Sequence, residues 1–423
     1  PRTTRAPANP PGAPPRAGAI PPANRPPAGP GAPPTGASAP APPPATPAPP
    51  PPVGPVDRTG VTDETIKIGI HAPVTGAAPL PQDSFEKSKD LYWRFLAERG
   101  GVHGRNVEII FRDDQFNPAR AVQVCRELVE QEKVFLLIGA AGSEQITACA
   151  RYANSAGVPY LSGGVNEDGL TGLDTYFAVS QTYSQQAPII SSMISEELGL
   201  SKVALVLNNT PALNEVLART TEALKAAGLD IVRSSRISKN ASDSELLAEA
   251  NQLRSSGAEA VYLLTSPINF IKLATNAQAQ AYSPRWVGPG VSNGLNLVAE
   301  AGCPAIGAAR FLSPFPQLDV IDKIDPDYRK AYAQYAGGEA DDIGLAQWGL
   351  SKVLHRMLEA TGRDLSRQSF LASLTSGREF DSGVYPTVRY GPTSRFGATT
   401  SHVLEADCRR RQYRTVATFV SAV

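Results

Sequence analysis

Apolar and polar positions follow two periods along the chain from Val61 onward. Short apolar runs at 66–70 and 107–111 have the length and β-branched character of buried strands. Longer segments with apolar residues three or four positions apart, the spacing of an amphipathic helix, follow these runs. The first of them covers about 83–99, and the second begins at Pro118. The pattern predicts strands and helices in alternation.

The alternation continues in two consecutive blocks of similar size. The first block adds strands at 134–138 and 159–161 around a helix at 145–156. Such repetition predicts an α/β fold of two doubly wound lobes, each a parallel sheet with helices on both faces. Ligands of open parallel sheets bind at the carboxyl ends of the strands, so a cleft between the lobes is expected. In the second block the pattern predicts helices at 187–198, 215–227, 245–255 and 268–279, and strands at 203–207, 231–232, 260–264 and 285–287.

Two loops of small residues follow neighbouring predicted strands. Residues 139–144, Gly-Ala-Ala-Gly-Ser-Glu, lead into a helix, and residues 162–166 read Ser-Gly-Gly-Val-Asn. Small residues let the backbone approach a ligand, and a helix N-terminus offers free N–H groups, here beside the Ser143 hydroxyl. Ser143 alternatively only caps its helix, a role that is compatible with ligand contact. We expect the two loops to form a polar wall of the cleft.

The first 55 residues differ in composition from the rest of the chain. They hold 23 of the 39 prolines and four arginines, and no acidic residue. Such a segment has too few large apolar side chains to offset the entropy of ordering it, so a disordered tail with polyproline II character is expected. The tail resembles a stalk, and low-complexity filler is the alternative.

Charge and hydropathy exclude two classes of function. The chain has 40 basic and 40 acidic residues, and beyond the tail the ratio is 36 to 40, which disfavours nucleic-acid binding. No stretch approaches the ~18 to 20 uncharged apolar residues that cross a bilayer, so no transmembrane helix is expected. An export signal is expected upstream of the residues given.

Motifs for catalysis are scarce. There is no Walker A loop, no G-x-G-x-x-G after a strand, no H-E-x-x-H and no G-x-S-x-G. Ser84 and Lys87 have the S-x-x-K spacing, but this pair at a helix start is more typical of a cap with a solvated lysine. We therefore expect neither an enzyme nor a cofactor or metal site.

The four cysteines are Cys125, Cys149, Cys303 and Cys408. They form an even set without a C-x-x-C pair and without clustered histidines, which disfavours metal binding. Two disulfides in an oxidising compartment are one interpretation, and four buried free thiols are the other. Composition alone leaves both open.

Five motifs follow one another along the first block: Ile-Gly-Ile-His-Ala-Pro-Val-Thr-Gly at 68–76, Gly-Gly-Val-His-Gly-Arg at 100–105, and the segments 113–121, 138–143 and 156–162. They resemble motifs of the type I periplasmic binding proteins, in the branch that binds leucine, isoleucine and valine and delivers them to ABC importers. The resemblance covers about 62–423 and is stronger in the first lobe. It implies two parallel-sheet lobes joined by a hinge, with a linker at 1–60. It also implies an N-terminal lobe of 61–182 plus 312–383 and a C-terminal lobe of 183–311 plus 384–423.

The resemblance also implies ligand-binding residues. Ser143, preceded by Gly142, matches the position that binds the ligand carboxylate, and Gly164 matches a carbonyl that meets the ammonium. Asn166 replaces the usual Thr or Ser. In the second lobe, Gly290 stands where amino-acid binders carry a glutamate counter-ion, and Pro81 replaces an aromatic residue of the first lobe.

These departures disfavour an ordinary amino acid as ligand. Burying an ammonium group without a partner carboxylate costs about 2 kcal/mol or more. We expect a small polar or carboxylate-bearing molecule, aromatic acids among them. For two of the candidate wall residues named next, Phe85 and Tyr183, ordinary packing in a core is an equal alternative to ligand contact. Further candidate wall residues on strand-end loops or near the hinge are Phe85, Tyr183, Asn209, Ser266, Ser292 and Asn293.

The resemblance completes the expected function and the cysteine pairing. We expect a monomeric extracytoplasmic solute-binding protein whose partners are a small-molecule ligand and the membrane permease of an ABC importer. A sensory module of the same fold is the alternative, and a lipid-anchoring cysteine is expected upstream. Cys125 and Cys149 lie on consecutive helices that should pack side by side. The family's three chain crossings between lobes imply the second pair, Cys303–Cys408.

Overall fold

The computed structural model describes residues 56–422. The predicted disordered tail, residues 1–55, lies outside the described residues. The strands of the described part are β1 (Thr65–Ala72), β2 (Asn106–Asp113), β3 (Leu136–Gly139), β4 (Tyr160–Ser162), β5 (Tyr176–Ala178), β6 (Lys202–Asn208), β7 (Asp230–Ile237), β8 (Ala260–Leu264), β9 (Arg285–Gly288), β10 (Arg310–Ser313), β11 (Glu379–Phe380), β12 (Val388–Arg389), β13 (Ser401–Asp407) and β14 (Gln412–Val420).

Helices lie between the strands over most of this range. None of the helices within residues 56–422 has both the length and the apolar character of a membrane-spanning helix. The helices are α1 (Gln82–Ser88), α2 (Leu91–Ala97), α3 (Pro118–Glu130), α4 (Ser143–Ser155), α5 (Tyr183–Ser192), α6 (Asn214–Ala226), α7 (Asp243–Ser256), α8 (Pro267–Ala279), α9 (Asn296–Gly302), α10 (Ile321–Ile324), α11 (Asp327–Ala331), α12 (Asp342–Thr361) and α13 (Arg367–Leu374).

The first sheet is parallel, in the order β2-β1-β3-β4-β5. Successive residues of a strand point to opposite faces, and both faces are buried. Leu136 and Ile138 pack with α1, α2, α12 and α13, whereas Leu137 packs with α3 and α4. Each such buried side chain contributes about 1.5 to 3 kcal/mol through the hydrophobic effect. The prediction of a doubly covered sheet is confirmed.

The second sheet is mixed, in the order β14-β13-β10-β9-β8-β6-β7. Strands β6 to β10 pair in parallel, but β13 pairs antiparallel with β10, and β14 pairs antiparallel with β13. The expectation of a purely parallel second sheet is therefore corrected. Its faces are covered by α5 and α6 on one side and by α7, α8 and α9 on the other.

Two predicted helices and one strand differ from the structure. The helix predicted at 83–99 is broken at Lys89 and Asp90 into α1 and α2, so that Tyr92 and Trp93 enter the core. The helix predicted at 187–198 starts earlier, because Thr182 and Gln185 form a capping box, and it ends in a π-helical turn. Strand β5 has only three residues, too few for a periodic signal.

Segments near the predicted lobe boundaries are held by specific contacts. Asp57, which was predicted to belong to the linker, pairs with Arg367 at 2.8 Å, and Arg367 also donates to the Val134 carbonyl. Near the C-terminus, Tyr390 and Ala398 still pack in the core of the first sheet, while β13 belongs to the second. The last change of sheet thus lies between β12 and β13, later than the predicted boundary at 384.

Both predicted disulfides are present, and among the described residues no cysteine is free. Cys125 on α3 and Cys149 on α4 have Cα atoms 6.1 Å apart, which confirms that consecutive helices pack side by side. Cys303 follows α9 and Cys408 follows β13, and their Cα atoms are 5.3 Å apart. The second bridge ties the C-terminal hairpin to the second sheet's helical layer.

Removing either bridge should destabilise the fold by an amount that depends on the length of chain it closes. A bridge stabilises the fold by lowering the conformational entropy of the unfolded chain. For sequence separations of 24 and 105 residues, its loss should lower the free energy of unfolding by about 3 and about 4.7 kcal/mol. Urea unfolding of Cys125→Ala/Cys149→Ala and of Cys303→Ala/Cys408→Ala would measure both. We expect the second variant to lose more stability, and wild-type unfolding midpoints in both variants would contradict this expectation.

Candidate functional site

The carboxyl ends of the parallel strands in both sheets lead into loops that contact one another. The loop after β3 and the start of α4 meet the loops after β6 and β7, through the side chains of Glu144, Thr210 and Lys239. The loop after β4 meets the start of α6 through Glu215. The predicted cleft edge is therefore a zone in which polar groups of both lobes come together.

Ser143 starts α4, and its hydroxyl lies near that of Tyr183. Gly142 before it adopts φ 87°, a left-handed conformation that suits glycine. Burial raises the pKa of Tyr183, and the neighbouring Ser143 hydroxyl offsets only part of this rise. The Tyr183 hydroxyl thus keeps its proton, and two predicted site residues form one pair of hydroxyl groups at a helix N-terminus.

The loop after β4 presents backbone and amide groups. The Gly164 N–H donates to Ser180 Oγ at 2.8 Å, and a Cβ at Gly164 would lie 2.1 Å from the Gln181 carbonyl oxygen, so a side chain does not fit. Asn166 is buried and donates to the Asp168 carbonyl at 2.7 Å. Its Oδ1 has no hydrogen-bond partner among the described residues.

On the second lobe, Gly290 lies against Tyr183. Gly290 has φ 75°, and its N–H donates to Gln186 Oε1 at 2.8 Å. A Cβ at this position would lie 2.9 Å from Tyr183 Cε1, so the tyrosine ring fills the space that a side chain at 290 would need. The prediction that this position offers no carboxylate is therefore reinforced by a packing constraint.

Two further predicted residues of the second lobe are buried and incompletely paired. Asn293 donates to the Thr265 carbonyl at 3.2 Å but leaves its Oδ1 without a partner in the described chain. Ser266 precedes α8, and its Oγ likewise has no partner there. Since an unpaired buried polar group costs about 1 to 3 kcal/mol, these atoms are suited to water or ligand.

Gln145 is a residue that the sequence interpretation missed. Its side chain is fully buried, and neither amide atom has a hydrogen-bond partner among residues 56–422. It lies beside Gly142, since a Cβ on that glycine would be 2.3 Å from Gln145 Oε1. A polar residue two positions after Ser143, at the start of the same helix, was the signal available.

The structure does not bring every predicted residue to the cleft wall. Phe85 is buried in the first core, with its ring 4.8 Å from that of Phe111, so the packing alternative holds for this residue. Pro81 is half-buried and precedes α1. Asn209 and Ser292 are exposed. The Ser84–Lys87 pair gains no support, because Lys87 pairs with Asp83 at 2.6 Å on the surface.

Glu144 connects the two lobes through a cluster that we call the Glu144 clasp, formed with Thr210 and Lys239. Glu144 accepts hydrogen bonds from the Thr210 hydroxyl and the Lys239 ammonium. Burial opposes its ionisation, but these two bonds hold the pKa of Glu144 below its usual value. Lys239 also lies 5.5 Å from the ring centre of Phe116 on the first lobe, a cation–π contact.

A second contact across the cleft edge involves Glu215 at the start of α6. Its carboxylate accepts from the backbone N–H groups of Glu167, at 3.0 Å, and Asp168, at 3.3 Å. It also accepts from the Ser184 hydroxyl at 2.5 Å. The loop after β4, with Gly164 and Asn166, is thereby attached to the second lobe.

Comparison with known proteins supplies the family. The family model described as periplasmic binding protein matches residues 65–410. The chain belongs to this family. Among curated proteins it is similar to Leu/Ile/Val-binding protein homolog 7 of Brucella abortus (strain 2308), with 24% identity over 287 residues, 64% of this chain and 71% of the relative.

Solved structures of transporter binding proteins share the fold. A branched-chain amino acid ABC transporter protein from Thermus thermophilus with bound valine has TM-score 0.70 and 16% identity, covering 85% of this chain and 97% of that one. A solute-binding protein from Rhodopseudomonas palustris BisB5 in complex with 3,4-dihydroxybenzoic acid has TM-score 0.69 and 18% identity, covering 85% and 98%. At these identities the likeness establishes the fold, and the ligand must be argued from the residues.

Replacing Lys239 with methionine should open the cleft. The substitution keeps an unbranched side chain but removes the ion pair with Glu144 and the contact with Phe116, a loss of about 1 kcal/mol for a half-exposed pair. Spin labels on Ala97→Cys and Leu247→Cys, one on each lobe, would report a longer mean distance. Lys272→Met, which breaks the Lys272–Asp243 pair within the second lobe, is the matched control. An equal shift in both variants would refute a specific role of the clasp.

Proposed function

We propose that this protein is the extracytoplasmic solute-binding component of an ABC importer, and that it captures a small carboxylate- or carbonyl-bearing molecule between its lobes. One observation carries the proposal. Buried polar atoms without partners in the described chain lie on strand-end loops of both lobes, at Asn166, Ser266 and Asn293. A single polar ligand held between the lobes would satisfy both walls at once.

The start of α4 favours an oxygen-bearing group of the ligand. Its first backbone N–H groups have no intrahelical partner, and the positive end of the helix dipole lies there. The hydroxyl groups of Ser143 and Tyr183 lie beside it and can supply a further donor. A carboxylate or carbonyl oxygen matches this set of donors.

The surrounding carboxylates argue against an α-amino acid. An ammonium group needs a nearby carboxylate, and Gly290 offers none. Two carboxylates at the cleft edge already have partners: Glu144 binds Thr210 and Lys239, and Glu167 accepts from the Thr182 hydroxyl at 2.7 Å. An aromatic acid, the class bound by the R. palustris protein, needs no such counter-ion.

The proposed transport role requires a membrane permease as the partner of this protein. A protein of this kind would work outside the cytoplasm as a monomer whose two lobes close by hinge motion. A membrane permease would then distinguish the closed form from the open one. The Glu144 clasp and the hydrogen bonds of Glu215 would hold the two lobes together in the closed form.

A panel of small molecules tests the ligand class. We expect 3,4-dihydroxybenzoate and benzoate to raise the unfolding temperature and leucine, isoleucine and valine to leave it unchanged. A ligand at ~100 times its Kd adds ~2.7 kcal/mol of stability. Differential scanning fluorimetry provides the measurement. Stabilisation by leucine at micromolar concentration, with none by any aromatic acid, would reverse the assignment.

Ser143→Ala tests the polar wall. Losing one hydroxyl at the helix start should weaken binding of the molecule that co-purifies with the protein by about 1 to 3 kcal/mol while the fold survives. Ser155→Ala, at the other end of α4, removes a hydroxyl that bonds only within its helix and is the control. Isothermal titration calorimetry would measure both, and equal affinities for Ser143→Ala and wild type would remove Ser143 from the site.

A further inference from the structure

A fully buried chain of hydrogen bonds lies beneath the loop that carries Ser143. His71 Nδ1 is 2.7 Å from Asp114 Oδ2, and His71 Nε2 is 2.7 Å from the Tyr160 hydroxyl. None of the three side chains is exposed to solvent. They come from the ends of β1 and β2 and the start of β4, so the chain crosses the sheet under the cleft.

The direction of these bonds follows from the groups involved. A carboxylate only accepts, so Nδ1 of His71 donates to Asp114, and Nε2 shares the second hydrogen bond with the Tyr160 hydroxyl. Burial raises the pKa of Tyr160, which keeps this hydroxyl protonated. All three groups are thereby paired with one another inside the protein and are not available to a ligand.

The loop after β3 rests directly on this chain. The Ala140 N–H donates to the His71 carbonyl at 3.1 Å. A Cβ on Gly139 would lie 1.9 Å from the Tyr160 hydroxyl and 3.0 Å from His71 Nε2. Only glycine therefore fits between the buried pair and the cleft, and the position of residues 139–143 depends on where His71 and Tyr160 lie.

The loop after β2 is held by the same chain. Asp114 Oδ1 accepts from the Phe116 N–H at 2.9 Å. Gln115 and Phe116 have φ of 56° and 53°, a left-handed conformation that is strained for residues with side chains. Phe116 in turn lies against Gly142, whose Cβ position is 3.2 Å from Phe116 Cε2. The hydrogen bond from Asp114 thus offsets backbone strain at Phe116, which contacts the loop after β3.

The Cys125–Cys149 bridge lies behind the histidine. Both sulfur atoms are within 4.8 Å of a ring nitrogen of His71, and both are used in the bridge. The bridge fixes α4 relative to α3, and α4 begins at Ser143. The histidine is therefore enclosed between the sheet and the two linked helices, with little freedom to move.

We propose that Asp114, His71 and Tyr160 are positioning residues, which hold residues 114–117 and 139–143 in the geometry that binds the ligand. They act through the backbone of these loops. The proposal rests on the proposed function for the importance of Ser143, but the order of the loops can be measured without any ligand. Failure of one is therefore distinguishable from failure of the other.

Tyr160→Phe tests the proposal with little change in volume. We expect amide hydrogen exchange of Ala140 and Phe116 in the ligand-free protein to become about tenfold faster. Tyr92→Phe is the matched control, because its hydroxyl is 2.8 Å from His355 Nδ1, another buried tyrosine–histidine pair in the same lobe but on α2 and α12. Unchanged exchange at both amides, or equal acceleration in the control, would overturn the proposal.

Binding provides the second readout. Titration with 3,4-dihydroxybenzoate should show about tenfold weaker binding for Tyr160→Phe and wild-type affinity for Tyr92→Phe at similar losses of global stability. Wild-type affinity in Tyr160→Phe would contradict the proposal. If the wild-type protein binds no aromatic acid, the ligand class in the proposed function fails, and the exchange rates still decide whether the loops are positioned by this chain.

Discussion

The cleft depends on one constraint: polar groups that two lobes bury between them need hydrogen-bond partners. The contacts at its edge meet this constraint within the protein, as Glu144 does with Thr210 and Lys239. Asn166, Ser266 and Asn293 have polar atoms that do not find a partner in the described chain. The contacts of Glu144 therefore explain how the lobes are joined. The unpaired atoms of Asn166, Ser266 and Asn293 indicate that a ligand would need polar groups to pair with them.

The same constraint shapes the layer below the cleft. A histidine and an aspartate buried without solvent would be costly alone, but together with Tyr160 they pair in series. Asp114 also accepts from the Phe116 N–H, and the His71 carbonyl accepts from the Ala140 N–H. The hydrogen bonds that pair the buried groups therefore also hold the loops after β2 and β3. A glycine at 139 follows from this arrangement, because the buried hydroxyl occupies the place of a side chain.

Local patterns were sufficient to predict strands β1 to β4 and β6 to β9, the helical segments up to α8 and the polar loops, because each reflects spacing within a few residues. The same patterns placed Ser143 and Gly164 on strand-end loops, and their contact with a ligand stays a prediction. The Lys239–Glu144 and His71–Tyr160 contacts join residues 95 and 89 positions apart, and nothing local predicts them. Phe85 shows the opposite limit, since an aromatic residue at a helix start has the same pattern whether it faces a core or a cleft. The antiparallel β13 and β14 follow the last crossing, where the repeating pattern ends.

A crystal structure of the protein with the small molecule that co-purifies with it would test the central claim most directly. The account predicts a molecule between the two lobes, with a carboxylate or carbonyl oxygen about 3 Å from Ser143 Oγ. It also predicts that polar atoms of that molecule reach Asn166 on one lobe and Ser266 or Asn293 on the other. A ligand elsewhere, or one in the cleft that leaves Ser143 and these atoms without contact, would contradict it.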